Sequence, residues 1–180
     1  MSNINALTID SAPAASQPLL EAVKAKMGKV PNLLGTLAHA PAGLQSYLGL
    51  SEALGGGLFS GGEREIIALA IGEANQCDYC LAAHTMIGGM NGLDSETMQK
   101  ARAGGLGDAK LEALAALARE ITATRGRPSA TSLDTFRSAG WTDGHVIELI
   151  AHVALNTLTN YVNEALGTEI DFPRADALAA

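Results

Sequence analysis

Apolar positions recur every three or four residues along most of this chain, the spacing of helices that bury one face. Pro18 can open a helix at its first turn. Leu19, Leu20, Val23 and Met27 give that helix an apolar stripe, and Gly28 ends it. Val30-Pro31-Asn32 reads as a turn. Leu33, Leu34 and Leu37 predict a short helix broken near Pro41. Leu44, Tyr47, Leu48, Leu50 and Leu54 predict another, stopped by Gly55-Gly56-Gly57. Ser60 with Glu63 three residues on is a capping-box pattern, and it opens a strongly apolar helix to about Ala74 through Ile66, Ile67, Leu69, Ala70 and Ile71. Asn75-Gln76 reads as a break, and the next helix runs from about Cys77 to Met90. Shorter helices follow at Leu93–Arg102, from Asp108 to about Thr124, and at Ser132–Ala139, with Pro128 as an interruption. Thr142 caps a helix reaching Leu155, and a separate last helix reaches about Leu166. No segment alternates as a strand does, so the pattern predicts an all-α bundle. The expected organisation is one domain over 18–173, with a loose Ser/Ala/Pro/Asn-rich arm (1–17) before it and a short tail (174–180) after it.

A faint internal repeat lies within that pattern. Glu63–His84 overlays Asp143–Glu164 without gaps, which sets Ile66, Ile67 and Leu69 on Val146, Ile147 and Leu149. The overlay predicts two related helical hairpins, although any two amphipathic helix pairs align about this well.

Composition adds a surface to be covered. Of 180 residues, 47% are hydrophobic and 17% charged, and the mean hydropathy is +0.15. This much apolar surface predicts a subunit interface, since large exposed apolar patches are rare on monomers. A formal charge of −7 without a basic cluster argues against nucleic acid and against anionic membranes. No apolar run is long enough to span a bilayer, and Met1–Gln17 has no secretory pattern, so a cytoplasmic location is expected.

The chemistry concentrates at Cys77-Asp78-Tyr79-Cys80, followed by His84. These are the only two cysteines. In a reducing compartment a close pair is more often catalytic or metal-binding than a structural staple. Spacings of three and four put Cys77, Cys80 and His84 on one helical face. In a first helical turn, free amides and the helix dipole favour a thiolate, the reactive form. His84 can then act as base or proton carrier. The preceding helix offers Glu65 and Glu73, and Glu65 reaches the thiols if the chain folds back at Asn75-Gln76. Two plainer readings stand beside this one. The cysteines could be inert buried residues, or part of a zinc site for which Cys77, Cys80 and His84 supply three of the four ligands. Covalent haem is excluded because Leu81, not histidine, follows Cys80. A thioredoxin-type fold is rejected because the run before the cysteines is helical. Among the other histidines, His39 reads as a loop or packing residue and His145 as first-turn and exposed. His152 reads as a core histidine with a secondary claim to line the pocket. Asn156, Asn160, Asn163 and Tyr161 are polar groups in an apolar helix that bond to backbone, form an interface or face the thiols.

The whole arrangement, with Glu65 twelve residues before Cys77, then C-x-x-C, then His84 four after Cys80, closely resembles the alkylhydroperoxidase D (AhpD)-like branch of the carboxymuconolactone decarboxylase superfamily. Val30-Pro31-Asn32-Leu33 with Leu37-Ala38-His39 and Pro41 resembles its peroxidase-related members. So does the stretch from Trp141-Thr142-Asp143 through Asn160-Tyr161 to Asp171-Phe172-Pro173. The resemblance implies an all-α fold, a homo-oligomer (trimer or hexamer), and hydroperoxide reduction through a redox pair, Cys77 and Cys80, with Glu65 and His84 as proton relay. Tyr79 stands where some members carry histidine, which implies a shorter relay. The superfamily's true decarboxylases generally lack the cysteine pair.

The resulting expectation is a thiol peroxidase. Cys80 attacks a hydroperoxide, Cys77 closes the disulfide, and a dithiol partner of lipoyl or thioredoxin type reduces it. Cys77, nearer the chain break, is expected to be the more accessible sulfur. Tyr79, Glu73 and His152 are expected around the pocket, and no cofactor or metal is called for. The alternatives are a protein thiol–disulfide oxidoreductase or redox sensor, a decarboxylase-like lyase on a small lactone acid, and a non-enzymatic scaffold or metal-binding module.

Overall fold

The computed structural model describes residues 2–178, so the last two positions of the tail lie outside the described residues. All regular structure among them is helical: α1 (Gln17–Met27), α2 (Asn32–Leu37), α3 (Pro41–Gly55), α4 (Gly61–Ala74), α5 (Asp78–Met90), α6 (Ser95–Ala103), α7 (Ala109–Ala123), α8 (Ala130–Ser138) and α9 (Asp143–Leu166). None of these helices is long and apolar enough to cross a membrane.

Helix α4 is the axis of the fold, packing against α5, α6, α7 and α9. Its sequence explains this position. Ile66 through Ile71 are all buried, so α4 needs cover on every side. The capping box holds its start: Ser60 Oγ accepts from Glu63 N–H (3.3 Å), and Glu63 Oε2 accepts from Ser60 N–H (2.8 Å). Two apolar clusters result. One joins α4 to α6–α9 around Leu114, Leu117, Phe136 and Leu149. The other joins α1–α3 to the start of α5 and contains Cys77, Tyr79, Cys80 and Phe172.

Two features differ from the sequence-based expectations. Asp143–Leu166 is one unbroken helix, so the second hairpin of the repeat does not form. No glycine or proline interrupts it after Gly144, and its buried stripe continues with polar residues: His152, Asn156, Thr159, Asn160 and Asn163. The change from apolar to polar marks a change in what the helix faces, not an end. The amino-terminal arm is also docked rather than loose. Asn3 N–H donates to Leu166 O (2.7 Å), Leu7 N–H donates to Gly35 O (3.1 Å), and Ser16 Oγ–H donates to Ala38 O (2.8 Å). Beyond α9, residues 168–172 pack on the body, where Thr168 and Phe172 are buried.

Docking of the arm requires a glycine in α2. A Cβ on Gly35 would sit 2.7 Å from Leu7 O, a backbone atom that cannot move alone. Gly35→Ala is therefore expected to cost about 1–3 kcal/mol. The readouts are a lower denaturation midpoint and faster amide exchange confined first to the arm.

Candidate active site

The site begins with a chain reversal. Gln76 adopts a left-handed conformation (φ 54°), and Cys77 N–H donates to Gly72 O (2.9 Å), which turns α5 back along α4. Cys77 becomes the N-cap of α5, its Sγ accepting from Cys80 N–H (3.3 Å). Cys80 thus lies in the first turn, where unpaired amides favour negative charge. Because α4 and α5 run antiparallel, Glu65 meets His84, with Nδ1 donating to Oε2 at 2.7 Å. From α9, Asn163 Nδ2 donates to Cys80 Sγ (3.3 Å) and lies 3.9 Å from Cys77 Sγ.

These contacts divide the two thiols. Cys80 is held well below the usual thiol range, at about 6. The hydrogen bond from the Cys77 thiol does most of this; burial opposes it, and the His84 charge, Asn163 and Asn160 assist. Cys77 is pushed up by donating that hydrogen bond and by burial, and so keeps its proton. Burial alone would lower the pKa of His84, but the charge and hydrogen bond of Glu65 outweigh it and raise the pKa. These contacts favour a thiolate on Cys80, a thiol on Cys77 and, through Glu65, a proton on His84.

The cluster opens into a cavity of about 180 Å³. Cys80, His84 and Glu65 line it, together with apolar groups such as Leu33, Leu34, Leu54 and Phe172. Cys77 does not line it and is fully covered (0% exposed), which corrects the expectation that it is the more accessible sulfur. The reason is packing: Cys77 sits in the apolar cluster that joins α1–α3 to the start of α5. Glu73 is also absent from the pocket, because its Oε2 accepts from Arg102 Nε (2.8 Å). Eight helical residues separate it from Glu65, which rotates it by about 80° toward α6. His152 lines the cavity, buried, and burial lowers its pKa. Tyr79 lines it too, but its phenol is a strut. The OH donates to Asp171 Oδ1 (2.8 Å) and accepts from Leu33 N–H (3.1 Å), and burial raises its pKa. His39 ties the arm down through Asn5 O (2.9 Å), and His145 completes the α9 cap with Thr142.

Sequence reasoning missed several contributors. Tyr47 on α3 lines the cavity and stays a phenol, its pKa pushed to about 12 by burial and by the charges of Cys80 and Glu65. Arg64 lines the cavity as well. Asp171 ties Tyr79 to Lys29 (3.0 Å) and to the start of α2. Only the asparagines carried a signal, as polar residues at helical spacing on an apolar face.

A helical bundle with a thiol pair, a histidine and a carboxylate around one small cavity defines the class. Residues 41–123, from α3 through α7, match the model of the Carboxymuconolactone decarboxylase family. None of the curated proteins compared matches the chain. Among solved structures, the alkylhydroperoxidase AhpD core of an uncharacterized peroxidase-related protein from Ralstonia eutropha JMP134 aligns with a TM-score of 0.84 at 24% identity, over 94% of this chain and 92% of that one. An uncharacterized peroxidase-related protein from Silicibacter sp. TM1040 aligns at 0.81 and 24%, over 93% and 91%. The debrominase Bmp8, in complex with 2,3,4-tribromopyrrole, aligns at 0.80 and 18%, over 95% and 92%. At these identities the likeness is one of fold. The chain has the AhpD-like helical fold, and its segment 41–123 resembles the carboxymuconolactone decarboxylase family.

Alkylation of Cys80 by iodoacetamide should follow its thiolate, with a midpoint near 6 read by mass spectrometry of the labelled peptide. His84→Ala removes the positive partner of the thiolate, and Glu65→Gln removes what keeps His84 charged. Both favour the neutral thiol and should raise the midpoint by about one unit or more. A variant with an unshifted midpoint removes that residue from the relay.

Proposed function

We propose that this protein is a thiol-dependent peroxidase that reduces small organic hydroperoxides through Cys80 and Cys77. The observation that carries this reading is the division of labour between the sulfurs: a thiolate at the cavity wall and a protonated thiol directly behind it. The Cys80 thiolate attacks the distal peroxide oxygen and the O–O bond breaks. The alkoxide that leaves takes a proton from the His84 imidazolium, and Cys80 becomes a sulfenic acid. The Cys77 thiol then condenses with it, forming the disulfide and releasing water. An external dithiol restores both thiols through a mixed disulfide.

Because Cys77 is covered, the reductant reaches the disulfide from the cavity and attacks the Cys80 sulfur. A slender dithiol such as a lipoyl arm fits that approach better than the surface of a folded protein. The same geometry weighs against a protein disulfide as the primary substrate. A thiolate could equally take a halogen from a small ring, the kind of activity named for the Bmp8 structure, so a brominated pyrrole belongs among the test substrates. For a lyase in which the sulfurs are incidental, activity on a lactone acid would survive loss of both cysteines.

Peroxide consumption with dihydrolipoamide should fall below about 1% of wild type in Cys80→Ser. In Cys77→Ser it should stop after one turnover, leaving a sulfenic acid that a selective probe labels on Cys80. Label found only on Cys77 reverses the two roles. Turnover with both cysteines replaced by serine refutes thiol catalysis.

The same reading includes a homo-oligomer. Ile147 (70% exposed), Ile150 (47%), Leu158 (41%) and Tyr161 (62%) form an apolar stripe along α9. Sedimentation should give a trimer or hexamer, and Ile147→Glu should shift it toward monomer. Wild type sedimenting as a monomer overturns the assembly.

A further inference from the structure

The cavity has a second polar end that the redox chemistry leaves unused. Arg64 stands near the start of α4, and its Nη1 donates to Phe59 O (2.7 Å). Arg64 lines the cavity, and among the described residues it forms no ion pair. His152 packs its ring on that of the same Phe59 (centroids 5.7 Å apart). It is 3% exposed, and its Nε2 has no hydrogen-bond partner within the chain. Burying such a group unpaired costs about 1–3 kcal/mol, so the atom calls for a ligand. Two carboxylates stand nearby, and both are engaged. Glu65 Oε2 holds His84, and Glu148 Oε1 accepts from Leu58 N–H (2.7 Å) and Phe59 N–H (3.3 Å) while lying 3.9 Å from His152 Nε2.

Helix geometry sets this end apart from the sulfurs. Cys80 Cβ lies beside Gly72, eight residues up α4 from Arg64. Asn160 is likewise eight residues along α9 from His152, and eight residues rise about 12 Å. The long arginine side chain can close part of that span. Ala68, Leu33, Leu34 and Leu155 supply apolar lining to the same cavity. The volume, about 180 Å³, suits a single ring or a short branched chain.

We infer that Arg64 and His152 form a carboxylate-recognition site, so that the preferred substrate is a small organic acid carrying its reactive group at the end away from the carboxylate. This rests on the peroxidase reading and narrows it to hydroperoxides of such acids. A planar guanidinium is well matched to a carboxylate. Burial lowers the pKa of His152 and the charge of Arg64 adds to this, against the opposing charges of Glu148 and Glu65, so the ring favours its neutral form and can add a hydrogen bond.

A matched pair of alkylating agents tests the site without needing turnover. 4-(Bromomethyl)benzoate and 4-(bromomethyl)benzamide differ in charge but hardly in shape, and each marks Cys80. In wild type the benzoate should react about tenfold faster than the benzamide, after normalising to the same pair reacting with glutathione. The ratio should fall to about one in Arg64→Gln, decline severalfold in His152→Leu, and largely survive in Arg64→Lys. A wild-type ratio of one or less overturns the site, as does a ratio unchanged in folded Arg64→Gln. If the ratio stands but no peroxide is consumed, the recognition site holds and the peroxidase reading falls. If peroxide is consumed and the ratio is one, the reverse follows.

Discussion

The reversal at Gln76 is the constraint on which the remainder of the site depends. One left-handed residue and one hydrogen bond to Gly72 fold α5 onto α4. That fold-back sets the Glu65–His84 pair, the exposure of the α5 amide ends to both sulfurs, and the depth at which Cys80 meets the cavity. A non-glycine residue at positive φ is strained unless its surroundings hold it there. Here the packing of α4 on four neighbouring helices supplies that hold.

Electrostatics then separates two chemically identical groups. Cys77 and Cys80 share a turn and a neighbour, yet one donates and the other accepts in the hydrogen bond between them. Asn163 reinforces the asymmetry from α9, at 3.3 Å from Cys80 and 3.9 Å from Cys77. Burial works against charge at both sulfurs, so the thiolate exists only because directed donors outweigh it.

What could be read in the sequence was local. The capping box at Ser60, the break at Asn75-Gln76 and the helical spacing of Cys80 and His84 depend on neighbours a few residues apart. The all-helical fold followed from periodicity alone. What depended on distant packing was not readable. The unbroken α9 looked like two helices because its buried stripe turns polar where it passes the thiols. Glu73 resembled Glu65 in type but not in azimuth, and Arg102 claimed it from another helix. Cys77 was mistaken for the open sulfur because a chain break suggests exposure, whereas α1–α3 pack over this one. Tyr47 reaches the cavity from α3, which has no motif to mark it, and Arg64 stands beside Glu65 with nothing in its spacing to show that it lines the cavity.

Tyr79 carries a mechanical implication. It sits between the two cysteines, while its phenol joins the α2 amide at Leu33 to Asp171, next to Phe172 at the cavity wall. The first turn of α5, which carries both sulfurs, is therefore tied through one phenol to α2 and to the wall of the cavity.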